Sequence, residues 1–454
     1  MAASYKFYGG IHPDSFKLDT AGKSIKKAFI PKRVVVPLLQ YTGSPAEAVV
    51  KVGDTVKVGS IIGKATALMS GNVHASIGGK VTKIAYSETP VFSRVLSVWI
   101  ESDGTKQEID TVEQKDAAAL SRNELLDIIR GAGIVGLGGA AFPTHVKLSP
   151  PKNKPIDTVI LNGAECEPYL TCDERLMIES PREILKGLEI VAKILDVKNV
   201  YIAIEDNKPL AVQTMRDVIQ LSSSPVSQFK PANRQTGKPI DIKIVTLKTK
   251  YPQGAEKQVI KALLDREVPE CGLPMDVGCV VQNVGTVFAI YEAIYLKKPL
   301  IERVITMAGP CLAQPANVKV RIGTLLHDLV DYLGGFKKEP KKIIIGGPLM
   351  GITQYTIDVP LTKRVSGVLF FSKEEIYEDR EGACIRCGRC VDACPMQLSP
   401  TALMYRVKKE NFLEAKDLGI INCYECGACA YVCPAKIPLL DYMKFGRAKL
   451  KTVC

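Results

Sequence analysis

The sequence predicts a multidomain chain of the α/β and α+β classes. Three observations predict it: the length, a change of hydrophobic period along the chain, and two cysteine quartets near its carboxyl end. At 454 residues the chain exceeds one ordinary core and suggests about three domains. Its 46% hydrophobic and 24% charged residues are ordinary globular values and exclude disorder or a fibre as an overall description. Lys and Arg total 60 against 48 Asp and Glu, a net charge of +12 that favours an acidic partner, an anionic membrane surface or nucleic acid. No helicase or nuclease motif and no interleaved basic and aromatic patch appears, so a nucleic-acid partner is set aside.

Residues 1–30 lack periodicity and read as an arm. Their start, MAASYKFYGG, has no apolar stretch behind a basic segment, so no signal peptide is expected. The longest apolar stretch, Val277 to Leu296, is interrupted by Gln282, Asn283 and Glu292 and is too polar to span a membrane. Residues 31–110 read as a β domain. Lys51–Ala65 and Gly71–Ile84 form two related half-repeats, each a strand, a turn and a second strand. This pattern resembles the barrel-sandwich of lipoyl and biotinyl carriers. The stretch between the halves, Ala67-Leu68-Met69-Ser70, lacks the carrier lysine, so a docking module is expected.

From about Ser121 strands alternate with helices, which predicts a mainly parallel sheet covered on both faces over residues 111–300. Ser121-Arg122-Asn123-Glu124 is a capping box, with Leu125, Ile128 and Ile129 on one helical face. Strands are expected at Thr158–Asn162, Val200–Ile204 and Ile242–Leu247, and helices at Arg182–Leu195, Pro209–Leu221 and Glu256–Arg266. Residues 301–370 read as a small β-grasp domain, with strands at Val304–Met307, Val318–Val320 and Ile343–Ile345 and a helix at Thr324–Leu333. The charged run Lys337–Lys342 is expected to be a solvated turn. Residues 371–454 form a helical, cysteine-rich domain.

Cys384, Cys387, Cys390, Cys394 and Pro395 repeat in spacing as Cys423, Cys426, Cys429, Cys433 and Pro434, the two-cluster ferredoxin pattern. Three thiolates two residues apart reach three corners of one cubane, and the fourth points to the other cluster. Cys384, Cys387, Cys390 and Cys433 are therefore expected to hold one [4Fe–4S] cluster, and Cys423, Cys426, Cys429 and Cys394 the second. Zinc sites usually show separated Cys-x-x-Cys pairs and give no reason for a doubled quartet. The remaining cysteines, Cys166, Cys172, Cys271, Cys279, Cys311 and Cys454, are expected to be buried thiols.

Gly131-Ala132-Gly133-Ile134-Val135-Gly136 matches a dinucleotide fingerprint literally, but a capped helix precedes it where that motif needs a strand. The informative loop is Gly136 to Lys147. Gly138 and Gly139 let backbone N–H groups approach a phosphate, a helix starting near Pro143 adds its positive end, and Lys147 supplies a charge. Beyond the strand at Thr158, Asn162 is placed to bond a flavin or ribose edge, and Glu165 and Glu167 to accept from ribose hydroxyls or a nicotinamide carboxamide.

In order along the chain, Gly136–Lys147, Asn162–Pro168, Tyr251–Glu256 and Gln282–Thr286 resemble four segments of the flavin-containing, NADH-oxidising subunit of respiratory complex I. The resemblance implies FMN contacts at Gly136, Gly138, Gly139, Lys147, Asn162, Asn283 and Thr286, with Phe142, Glu165, Glu167 and Glu256 on the nicotinamide side. The sequence departs from that pattern at Val135, Leu137, Ala164, Ala255 and Gly285, where the family places charged residues. With the opening Gly9-Gly10-Ile11-His12-Pro13, the domain order resembles the RnfC family. Its members belong to the Rnf complex, a membrane-associated, ion-translocating ferredoxin:NAD oxidoreductase.

That likeness implies a barrel-sandwich domain, an α/β FMN/NADH-binding domain, a β-grasp domain and a two-cluster ferredoxin domain. It implies FMN, NAD(H) and two [4Fe–4S] clusters as cofactors, and membrane subunits and ferredoxin or another iron–sulfur subunit as partners. It also implies a peripheral place on the cytoplasmic face of the inner membrane. No catalytic acid or base is expected, and His12, His74, His145 and His327 are read as structural. The basic tail, with Lys436, Lys444, Arg447, Lys449 and Lys451 against Asp441, suits an anionic lipid surface or an acidic ferredoxin. Two rival readings are a cobalamin reductase of a bacterial microcompartment and a flavin-less electron conduit.

Overall fold

Four apolar strands in the middle of the chain, Thr158–Gly163, Asn199–Glu205, Asp241–Leu247 and Cys279–Asn283, pair in parallel into one sheet. The structure, a computed structural model, describes residues 6–91, 94–104, 107–109, 117, 119–222, 240–376 and 380–453, with side chains as far as 450. The first strand is buried on both faces apart from half-buried Asn162, as a helix-covered parallel strand must be. From Thr158–Gly163 the chain steps outward through the next two strands, then returns to set Cys279–Asn283 on the other flank of the first. The helices Arg122–Gly131, Pro181–Leu195 and Val284–Leu296 pack together over this sheet. Gly187 allows the close crossing, since a Cβ there would lie 2.2 Å from the Val287 carbonyl oxygen.

Residues 33–102 form two small antiparallel sheets face to face, one of three strands and one of four, around Val34, Val36, Ile62, Val73 and Val98. Each half-repeat supplies a strand, a turn and a strand, as expected: Thr55–Val56 and Ile61–Lys64, then Val73–His74 and Gly79–Glu88. The β-grasp strands join a six-stranded mixed sheet in which Glu302–Ala308 and Gly367–Phe371 pair in parallel at the centre. The carboxyl-terminal region is helical around Leu403, Met404, Ile420 and Leu439. Among the described residues no helix is long and apolar enough to cross a membrane; Val277 to Leu296 divides into a strand and a helix.

Several local readings are corrected. The arm carries a strand, Lys26–Lys27, which adds in parallel to the edge of the β-grasp sheet at Val318 and Lys319. This two-residue pairing has no periodicity to announce it. The helix from Glu256 ends at Leu264, because Asp265 turns left-handed. The helix of the β-grasp unit is Leu326–Tyr332. The helix after Pro143 is a single turn, Thr144–Lys147, too short to present a strong positive end. Cys271 is exposed, at a left-handed φ of 52°, not buried. Cys172, Cys279 and Cys311 are buried as expected, Cys166 is half-buried, and Cys454 lies outside the described residues. Lys337–Lys342 is a largely exposed turn.

Glu189 on Pro181–Leu195 is 7% exposed, and among the described residues its Oε2 has no partner. Burial pushes its carboxyl up to about 7, against the attraction of Lys186. The folded chain thus keeps this proton to about pH 7 where an unfolded chain releases it near 4.5, so stability is lost as pH rises between those values. Glu189→Gln is expected to change stability little at pH 4.5 and to raise it by about 2 kcal/mol at pH 8, read from denaturant midpoints.

Candidate functional site

The sheet's order reverses between Thr158–Gly163 and Cys279–Asn283, and such reversals open a crevice at the strands' carboxyl ends where ligands bind. Asn162 and Asn283 are register partners at those ends. Asn283 caps the helix Val284–Leu296: its Oδ1 accepts from the Thr286 N–H at 3.3 Å, and its Nδ2 donates to Asp173 at 2.6 Å. Burial and the neighbouring Glu165 carboxylate push the Asp173 carboxyl up.

The glycine loop rests on this helix start. Its neck closes where the Gly136 N–H donates to the Phe142 carbonyl at 2.9 Å, and Val135 bridges Pro143. The Leu137 N–H donates to Thr286 Oγ1 at 2.8 Å. Its carbonyl accepts from the buried Arg303 at 3.1 Å. A Cβ on Gly138 would sit 3.2 Å from Asn283 Cβ. Gly139, at φ 114°, faces open space. Among the described residues, the N–H groups of Gly138, Gly139 and Ala140 donate to no protein acceptor of ordinary geometry. Three free amides on a glycine turn at a sheet reversal suit a phosphate. Among the described residues the buried carboxamide nitrogens of Gln253 and Gln282, in two of the other segments, also lack partners.

The other expected residues divide. Lys147 reaches across to form an ion pair with Glu256, joining two of the four segments. Asn162 Nδ2 donates to the Gly254 carbonyl at 2.8 Å, joining a third segment to the same Tyr251–Glu256 stretch, and its Oδ1 accepts from the Ala164 N–H at 3.2 Å. The glutamates depart from the expectation. Glu165 accepts from the N–H groups of Asp173 at 2.9 Å and Glu174 at 3.1 Å, capping the helix Cys172–Glu179. Glu167 accepts from Leu349 at 3.1 Å and Met350 at 2.8 Å, and burial pushes its carboxyl up to about 7. Both are tied to backbone because their loop is folded inward by buried cations: Lys208 donates to the Ala164 carbonyl at 2.7 Å, and Lys17 to the Glu165 carbonyl at 2.8 Å. Arg303, Lys17 and Lys208 carried no local signal in the sequence.

The cysteines gather into two cavities with interleaved membership. One, open and about 300 Å³, is lined by Cys384, Cys387, Cys390 and Cys433. The other, smaller and more enclosed, is lined by Cys394, Cys423, Cys426 and Cys429. The two loops share their backbone shape: Arg386 and Glu425, Gly388 and Gly427, and Gln397 and Lys436 all have left-handed φ. Each cavity gathers four thiols, three from one loop and one from the other, the ligand set that two-cluster ferredoxin spacing calls for. The enclosed quartet faces the nucleotide unit, where the Tyr251 hydroxyl donates to the Cys426 carbonyl at 2.7 Å. The open quartet faces solvent, with Cys387 and Arg386 exposed and Ile385 68% exposed. The basic tail is partly engaged: Arg447 pairs with Glu425 at 2.6 Å and Lys449 lies over Phe445; the side chain of Lys451 is outside the described residues.

Family models match four stretches: an RnfC barrel sandwich hybrid domain at 5–105, a Nuo51 FMN-binding domain at 129–292, an SLBB domain at 304–353 and a 4Fe-4S dicluster domain at 383–437. Over 97% of its length the chain is 45% identical to the C subunit of the proton-translocating ferredoxin:NAD(+) oxidoreductase complex of Clostridium ljungdahlii, covering 93% of that protein. It is 41% identical to the C subunit of the Na(+)-translocating ferredoxin:NAD(+) oxidoreductase complex of Acetobacterium woodii, over 87% of this chain and 85% of that protein. It is 37% identical to the C subunit of the ion-translocating oxidoreductase complex of Rhodobacter capsulatus, over 98% and 83%. Crystal structures of an NAD+-reducing [NiFe]-hydrogenase share the fold, with a TM-score of 0.51 at 16% identity in the air-oxidised state; the match covers 74% of this chain and 63% of that one.

Cys433→Ala is expected to abolish the cluster signal of the open quartet and spare the enclosed one. Electron paramagnetic resonance of the reduced protein reads this, and loss of the enclosed cluster instead would refute the interleaved ligation.

Proposed function

Because the chain belongs to the RnfC family of the ion-translocating ferredoxin:NAD(+) oxidoreductase complexes, we propose that it is the peripheral component through which such a complex exchanges electrons with NAD(H). FMN, when bound, supplies the conversion between the electron pair of a hydride and the single electrons that [4Fe–4S] centres carry. The chain's residues supply position and electrostatics. Gly138, Gly139 and Ala140 offer their amides to the flavin phosphate, and Lys147 adds charge beside Glu256. Asn162, Asn283 and Thr286 fix the loops on which Gly136 to Phe142 sit, and Glu165 and Glu167 hold the floor of the site.

The observation that carries this reading is the set of glycine-loop amides without a protein acceptor at the sheet reversal, with the enclosed quartet against the Tyr251–Glu256 loop that pairs with Lys147. It favours a flavin site over a flavin-less conduit, and the relatives' names favour ferredoxin and NAD over cobalamin. On this reading the path runs from nucleotide loop to enclosed quartet, open quartet and surface. We assign residues 31–110 to docking, 111–300 to FMN and NAD(H), 301–370 to support and 371–454 to the clusters. Membrane subunits of the same complex move Na+ or H+ and hold this chain on the cytoplasmic face of the inner membrane. Ferredoxin or another iron–sulfur subunit is the redox partner.

Anaerobically purified protein is expected to show flavin absorption that bleaches on adding NADH, beside iron–sulfur absorption; iron–sulfur absorption alone, unmoved by NADH, would overturn the reading. Lys147→Ala is expected to weaken FMN binding about tenfold, the loss of one charge-assisted contact. Iron content should stay unchanged, and unaltered flavin content would remove the lysine from the site.

A further inference from the structure

We infer that the amino-terminal arm is a positioning element of the electron path: Gly9, Gly10 and Ile11 fix the enclosed cysteine quartet against the nucleotide-binding unit. The segment lies between the two. On one side Ile11 exchanges both backbone hydrogen bonds with Tyr251, each 2.8 Å. On the other the Gly10 N–H donates to the Ala393 carbonyl at 2.9 Å, one residue before the ligand position Cys394. Contact this close needs glycine. Gly9 has φ 66°, and a Cβ there would fall 2.6 Å from the Cys394 carbonyl oxygen and 2.9 Å from the Pro395 nitrogen. Gly10 has φ 81°, and its Cβ would fall 2.7 Å from the Tyr251 carbonyl oxygen. Both carry the double penalty of a left-handed backbone and a clash with backbone atoms that cannot rotate away.

The arm is anchored along the nucleotide unit on either side of this point. Lys250 donates to the Phe7 carbonyl at 3.1 Å and its ammonium lies 4.5 Å from the Phe7 ring centre. The Tyr169 N–H donates to the Ser15 carbonyl at 2.8 Å, and Lys17 bonds the Glu165 carbonyl. Ile11 and Tyr251 share one buried apolar cluster with Ala393 and Ala428, on the two cysteine loops. The arm makes no corresponding backbone bond to the open-quartet loop Cys384–Cys390 among the described residues. A displacement of the arm therefore moves the enclosed quartet relative to the nucleotide loops and leaves the open quartet's own loop intact.

This rests on the reading of the quartets as cluster sites fed from the nucleotide loop. The test uses the full-length, cluster-loaded protein with Gly9→Ala and Gly10→Ala, and with Gly22→Ala as a control in the same arm, where a Cβ meets nothing within 4 Å. Gly9→Ala and Gly10→Ala are expected to keep flavin and iron, to speed hydrogen exchange in residues 391–398 and 424–430, and to shift the magnetic resonance signal of the enclosed cluster alone. Cluster reduction by NADH is expected to slow about tenfold while flavin bleaching keeps its rate, because small misplacements of reacting groups carry penalties of that order or larger. Gly22→Ala should match the parent. If Gly10→Ala fails to fold, Ile11→Ala loosens the same contact without a clash and is read in the same way. Parent-like exchange and spectra in these variants, or equal disturbance of both clusters, would overturn the inference. A parent protein that binds no flavin would instead overturn the proposed function, while the exchange measurement still decides the arm's role.

Discussion

The contact between the hydroxyl of buried Tyr251 and the Cys426 carbonyl, 2.7 Å long, marks the constraint under which the rest of the molecule is arranged. Electrons cross protein quickly only over short distances, so a nucleotide site and a cluster site on separate units must be held face to face. Segments far apart in sequence meet there. The loop ending in Glu167 touches Leu349 and Met350 of the β-grasp unit; the latter's loop approaches Gly427; the arm joins Tyr251 to Ala393. The β-grasp unit is thus a wedge between the other two, and Gly347 is required because a Cβ there would lie 2.2 Å from Glu167 Oε2.

Buried cations do much of the holding. Lys208 pairs with Glu205 at 3.0 Å and turns the Ala164 carbonyl inward; Lys17 does the same for Glu165 and Leu170. Lys363 donates to the carbonyls of Asn72 at 2.9 Å and Gly133 at 2.7 Å, fastening the β-sandwich to the start of the glycine loop, and burial pushes its ammonium down to about 7. Removing one partner of such a buried charged group typically costs about 3–5 kcal/mol, so these contacts fix loop shape more than they add net stability. They also qualify the net charge of +12 as a guide to partners, since part of the basic excess lies inside.

The two quartets differ in surroundings despite nearly equal loops. One is packed against Tyr251, Leu349 and the arm; the other presents Cys387 and Ile385 to solvent. Hydrogen bonding and solvent exposure both tune cluster potentials, so identical ligand spacing does not imply identical redox behaviour. The asymmetry arises from what packs on each loop, not from the cysteines.

Sequence alone determined whatever is set by near neighbours along the chain. The cysteine spacing specified interleaved quartets because a short loop leaves its thiols few directions. The hydrophobic periods located three of the four parallel strands, and the capping box placed the start of the helix before the glycine loop to the residue. Tertiary structure decided what depends on residues far apart. Arg303 reaches the glycine loop from another sheet, Glu165 and Glu167 are drawn to backbone amides instead of the crevice, and the arm's glycines face Cys394, 385 positions from Gly9. A side chain's type states what bonds it can make, but which partner it meets is fixed only when distant segments have packed.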